Sequence, residues 1–148
     1  MKSGKYFTTL FLGILLVSTG LFAQTDKNIW STLALMKFER HKGNGTGEGS
    51  QIIPLIEALD GTEVTVKGYV IPLSGKKAQS HFMFSAYPYS SCYFCGGAGP
   101  ETIMETFAKG GEKIEFSDTA ITLKGTFRFT SRDPEDIMFT LENAILVK

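Results

Sequence analysis

Apolar and polar positions alternate most clearly from Val64 to Leu73, where Val64, Val66, Gly68, Val70 and Pro72 share one side and Thr65, Lys67, Tyr69 and Ile71 the other. This two-residue period predicts a strand, and a glycine at its centre predicts a bulge or sharp bend. His81 to Tyr87 predicts a second strand. Thr102 to Ala108 predicts a third strand or a short helix. Ala120 to Thr130 predicts a long strand, with Gly125 near its middle. Ile137 to Val147 predicts a last one, with Met138, Thr140 and Glu142 facing one way and Phe139, Leu141 and Asn143 the other. Upstream, Pro54 to Leu59 is a short apolar turn or helix, and Asp60-Gly61 a tight turn. Trp30 to Glu39 is ambiguous: Leu33, Leu35 and Lys37 share a strand face, while Trp30, Leu33, Ala34 and Phe38 fit a helix nearly as well. A strand is preferred there.

Five strands joined by short glycine-rich turns predict a mainly β protein, a small five-stranded OB-fold-like antiparallel barrel. Mid-strand glycines suit the tight coiling of such a barrel. A β-sandwich fragment and a β-grasp-like α+β fold are the alternatives.

The N-terminus has a different pattern. Lys2 and Lys5 precede an apolar run from Tyr6 to Val17, and Ala23 supplies a small residue for cleavage. The run is too short for a hydrocarbon core of about 30 Å, and it matches a signal peptide. The chain therefore divides into a signal peptide at 1–23, an extension with a Gly-rich loop at 24–50, and the OB-like barrel domain at 51–148. The expected location is periplasmic or extracellular, with no membrane span once the signal peptide is removed.

Composition narrows the functional classes. The hydrophobic fraction is 43% and the aromatic fraction 12%, enough for a packed core at this length. Lysines and arginines balance aspartates and glutamates at 15 each, so no basic excess attracts nucleic acid. Lys76, Lys77, Lys124, Arg128 and Arg132 are scattered among acids and do not form the basic groove of a single-strand binder. The glycine run from Lys42 to Gly49 lacks the Gly-Lys-Ser/Thr ending of a phosphate loop and reads as a solvated loop. Asp133, Glu135 and Asp136 read as a solvated turn, and His41 and His81 as surface residues.

One stretch concentrates the chemistry. Both cysteines, Cys92 and Cys95, lie between Tyr87 and Glu101, among Tyr87, Tyr89, Tyr93 and Phe94 and ahead of Gly96, Gly97, Gly99 and Pro100. Three readings of the cysteine pair stay open. An exported C-x-x-C pair can close a short disulfide. It can supply two thiolates to a metal, zinc or copper, with His41, His81, Glu101, Met83 and Met104 as further donors and a thioether favouring copper(I). It can serve thiol–disulfide exchange, although Gly96 to Pro100 is a poor helix start for lowering a thiol pKa. Covalent haem is excluded, because Gly96 stands where a histidine is required. The four aromatic residues either cover the end of the barrel or form a contact surface for a protein partner.

Leu59 to Leu73, the segment His81-Phe82-Met83-Phe84-Ser85, and Cys92-Tyr93-Phe94-Cys95-Gly96 with Pro100 resemble an uncharacterised family of small exported bacterial proteins, known as a domain of unknown function. The resemblance runs from about Trp30 to Val147, and its most specific part is Gly68-Tyr69 with Pro72-Leu73. It implies a periplasmic accessory or binding role beside export or metal-transport systems. It brings no established catalytic residues, and a histidine that some relatives carry in the cysteine loop is absent.

The expected function is thus a non-enzymatic, exported binding or accessory protein. Cys92 and Cys95 would take a metal ion, or Tyr87, Tyr89, Tyr93 and Phe94 an envelope protein partner. The alternatives are a thiol–disulfide redox protein using Cys92 and Cys95, and a structural subunit of an envelope complex.

Overall fold

The computed structural model describes residues 28–36, 52–131 and 136–147. The signal peptide with Lys2, Lys5 and Ala23, the glycine run with His41, and Asp133 and Glu135 lie outside the described residues. Among the described residues, the α-helices and strands follow one another as α1 (Ile29–Leu33), α2 (Ile52–Glu57), β1 (Glu63–Ile71), β2 (Ala78–Gln79), β3 (His81–Ser85), β4 (Ile103–Ala108), β5 (Ile114–Glu115), β6 (Ile121–Phe129) and β7 (Phe139–Val147).

The five longer strands close into a barrel in the order β1-β3-β4-β7-β6. This is the mainly β, five-stranded OB-like barrel that the alternation predicts. The barrel is not antiparallel throughout: β4 and β7 run parallel, with Glu105 opposite Thr140 and Thr106 opposite Leu141. The reason is topological. Directions cannot alternate all the way round a closed ring with an odd number of strands, so one neighbouring pair must be parallel. The parallel partner needs a long connection, and the chain from β4 through β6 to β7 supplies it. The short strands β2 and β5 pair separately as a two-stranded arm, Ala78 opposite Glu115 and Gln79 opposite Ile114.

Two places let the sheet coil. A β-carbon on Gly125 would lie 2.7 Å from the Glu142 carbonyl, so only glycine admits the crossing of β6 over β7 there. Opposite it, the pairing slips between Lys124 and Thr126, and Asn143 takes a φ of 53°. Asn143 is thus the extra residue of a bulge. It is exposed, and does not share the inward face of Phe139 and Leu141 as strict alternation predicts.

The inner face is filled by Val66, Val70, Phe82, Phe84, Met104, Leu123, Phe127, Phe139 and Leu141. Phe127 and Phe139 pack with their rings tilted, 5.7 Å between centroids. Trp30, Leu33, Met36 and Ile56 join the same core from outside the sheet. The segment at Trp30 is therefore a helix and not the expected strand. Asn28 caps it by accepting the Trp30 amide at 3.4 Å. Ile29, Trp30 and Leu33 fall on one helical face and are buried, whereas Leu35, which a strand would place beside Leu33, is exposed. The Trp30 indole donates to the Lys67 carbonyl at 2.9 Å and packs on Phe84 at 6.4 Å, which fixes the helix on the barrel.

β3 is buried on both faces from Phe82 to Ser85. Phe82 and Phe84 point into the barrel. Met83 points outward and joins Ile71 and Ile103 in a second apolar cluster on the outside of the wall. The segment between β3 and β4 covers that cluster.

Candidate functional site

The chain from Ala86 to Thr102 is a lateral flap on the barrel wall, not a rim loop. It starts and ends in register: the Ala86 amide donates to the Thr102 carbonyl at 2.9 Å, and the Tyr87 amide donates to the Ser85 hydroxyl at 3.1 Å. Between these ties the chain makes three one-turn 3-10 segments, Tyr89–Ser91, Tyr93–Cys95 and Pro100–Thr102. Proline sits at the first position of the last, where its fixed φ suits a helix start. The Thr102 amide and hydroxyl both donate to the Gly99 carbonyl, at 3.0 and 2.6 Å. The Glu101 side chain is buried, and its carboxylate fills the space a side chain at Gly99 would need.

The two cysteines have opposite roles. Cys92 is fully buried (0% exposed) and packs with Ile71, Met83 and Ile103. It anchors the flap as a small apolar side chain. Tyr93 packs against the same cluster from the flap side, and its ring meets Phe94 edge-on at 5.5 Å. Cys95 is exposed. Its thiol donates to the Tyr89 carbonyl at 3.1 Å. Partial desolvation, followed by the hydrogen bond and like charge of the neighbouring Cys92 thiol, pushes the Cys95 pKa above the ordinary thiol value. The structure holds both as free thiols, not as a disulfide.

The pair is weakly placed for two of the expected chemistries. A thiol–disulfide catalyst needs a stabilised thiolate, and here the exposed thiol is pushed the other way. It also sits on a single 3-10 turn, without the long helix whose dipole lowers a thiol pKa. A closed zinc site needs four donors. Among the described residues no group of three or more histidines, cysteines and carboxylates forms. His81 lies at the start of β3, whereas the flap leaves from its end. There the imidazole meets Glu105 at 2.7 Å and stacks on Phe107 at 4.5 Å. Of the other sulfur donors, Met83 shares the cluster of Cys92, while Met104 belongs to the barrel interior.

The aromatic residues are the outward-facing part. Tyr89, Phe94 and Tyr87 are 56%, 55% and 48% exposed, and only Tyr93 is drawn into the wall. Tyr89 forms one side of two adjoining clefts. One, of about 320 Å³, lies between Tyr69, Val70, Pro88, Tyr89 and Phe116. The other, of about 410 Å³, lies between Pro72, Leu73, Tyr89 and Phe116. The groove therefore runs between the flap and the β2–β5 arm, where the Phe116 amide donates to the Lys77 carbonyl at 2.7 Å. Sequence reasoning picks out the tyrosines and misses the facing wall, Leu73 and Phe116. The available signal was Phe116 itself, a large apolar residue in an otherwise polar connection.

Fold and flap together define a small OB-type barrel with a cysteine-anchored aromatic flap beside a groove. No family model matches the chain, and no curated protein matches it. Among solved structures, a DUF3299 family protein from Pseudomonas aeruginosa PAO1 is similar, at 18% sequence identity and a TM-score of 0.44. The match covers 62% of this chain and 64% of that one. A likeness this loose assigns no family and carries no function across.

Proposed function

We propose that the protein is an exported, non-enzymatic binding module that holds a polypeptide segment of an envelope partner in the groove between flap and arm. The observation that carries this reading is the pair Tyr89 and Phe116, two exposed aromatic side chains shared by both clefts. Large, stiff aromatic residues give contact area at low entropic cost, which suits a recognition surface. Buried Cys92 and half-buried Tyr93 hold the flap to the wall, so this surface is preformed. Among the described residues, the one charged side chain lining either cleft is Asp118. The favoured occupant is therefore an extended segment with apolar side chains for the two clefts and a lysine or arginine beside them.

Selection of peptides from a displayed random library on the purified protein tests this reading. The expected winners pair apolar residues with a basic one. Their affinity falls about tenfold or more in Tyr89→Ala and in Phe116→Ala, as for a hot-spot aromatic. It is unchanged in Phe107→Ala, which removes an exposed aromatic ring of β4, opposite His81 and away from the flap. Equal binding by all the variants would overturn it.

A further inference from the structure

The structure assigns a second role to the flap that does not depend on the groove: we infer that Cys92 and Cys95 form a thiol-exchange site, in which exposed Cys95 takes the incoming disulfide and buried Cys92 resolves it. Three observations converge on this. First, the Cys95 amide donates to the Cys92 carbonyl at 3.1 Å, so the two residues are the ends of one tight turn. The ends of such a turn lie within about 7 Å, Cα to Cα. Disulfides span about 4.4–6.8 Å between Cα atoms, so little backbone movement is needed for closure. Second, the neighbouring Cys92 thiol is among the causes that hold the Cys95 pKa up, in keeping with that closeness. Third, access is one-sided: Cys95 is open to solvent and Cys92 is sealed between the flap backbone and the wall, against Ile71, Met83 and Ile103.

The asymmetry dictates the order of events. The Cys95 thiolate attacks one sulfur of an external disulfide R–S–S–R. A Cys95–S–S–R bond forms, the R–S–S–R bond breaks, and R–S⁻ leaves with one electron pair. The Cys92 thiol then loses its proton to solvent and attacks the Cys95 sulfur. The Cys92–Cys95 bond forms, the mixed disulfide breaks, and a second R–S⁻ leaves. The chain gives up two electrons and two protons, and R–S–S–R becomes two R–SH. A raised thiol pKa slows the first attack, because only the thiolate reacts. This makes the pair a substrate of a disulfide oxidant, of the kind an exported chain meets, and not a catalyst. Closure also gives up the thiol hydrogen bond to the Tyr89 carbonyl.

The test uses glutathione disulfide on the reduced, folded chain, read by intact mass and thiol count. Wild type is expected to lose both thiols and retain no glutathione. Cys92→Ala is expected to keep one glutathione as a stable adduct. Cys95→Ala is expected to stay unmodified while folded and to react once denatured. Should Cys92→Ala leave a hole that unfolds the flap, Cys92→Val fills the same apolar site and takes its place. A wild type that ends as a stable glutathione adduct, or that keeps both thiols, would overturn the inference. So would a folded Cys95→Ala that reacts as fast as Cys92→Ala.

Discussion

Gly68 lies directly against the Ser85 carbonyl: a β-carbon built on Gly68 would stand 2.5 Å from that oxygen and 3.0 Å from the edge of the Phe84 ring. This is where β1 bends across β3, at the base of the flap. Neither contact can yield cheaply, since one partner is backbone and the other a buried ring in the barrel core.

Gly68→Ala is therefore expected to destabilise the fold by about 1–3 kcal/mol, the usual range for forcing extra atoms into a packed interior. Urea unfolding followed by far-ultraviolet circular dichroism measures it. A midpoint equal to wild type would mean that β1 and β3 are less tightly apposed than described.

Trp30 is the only tryptophan of the chain and joins α1 to the barrel. Trp30→Phe keeps an aromatic ring on Phe84 but removes the donor to the Lys67 carbonyl, an expected loss of about 1 kcal/mol. Trp30→Ala also removes the buried ring and is expected to cost about 3–5 kcal/mol. The native indole fluorescence should be blue-shifted and move red on unfolding, so wild type reports its own transition. Equal stability of the two variants would show that the ring contributes nothing to the core.

Thr106 presents a different opportunity. Its hydroxyl is buried, on the inner side of β4, and has no hydrogen-bond partner. Valine has the same shape without the hydroxyl. Thr106→Val is expected to raise stability by about 1 kcal/mol, because it removes an unpaired polar group from the interior. Thermal unfolding by calorimetry decides this, and a lower melting temperature would reverse the argument.

The pH dependence of the flap follows from Cys95. Its thiol is held above the ordinary value of 9.0, first by desolvation and then by Cys92. Alkylation by iodoacetamide should accordingly show a midpoint above that of the unfolded chain. Cys92→Ala should move the midpoint down, since it removes two of the three causes and leaves the desolvation. The sign for stability is the same. The folded state keeps this proton to higher pH, so the contribution is complete below 9.0 and is lost as pH rises through the folded value. A midpoint at or below that of the unfolded chain would contradict the placement of the two thiols.

Much of the barrel was legible in the sequence. Two-residue alternation marked β1 and β6, and glycines at Gly68 and Gly125 marked the places where strands approach too closely for a side chain. Such patterns are local consequences of which side of a strand meets the core. The near-continuous apolar run of β3 carried a further message: a strand buried on both faces has something packed outside the barrel as well. That message identifies the flap as a covering element, but its source becomes clear only once Cys92 and Tyr93 are seen over Met83. The helix at Trp30 was misread because a five-residue segment has too few positions to separate the two periods, and its partner on the barrel, Lys67, is 37 residues away.

By itself the amino-acid order determined the strands, the mid-strand glycines and the crowding of both cysteines and four aromatic residues into one segment, because each depends on residue type and near neighbours alone. Only the tertiary structure decided that Cys92 is sealed and Cys95 open, that Tyr89 faces Phe116 across a groove, and that β4 runs parallel to β7. Those relations depend on where chain segments far apart in sequence come to rest when the barrel closes, and ring closure with five strands constrains all of them at once.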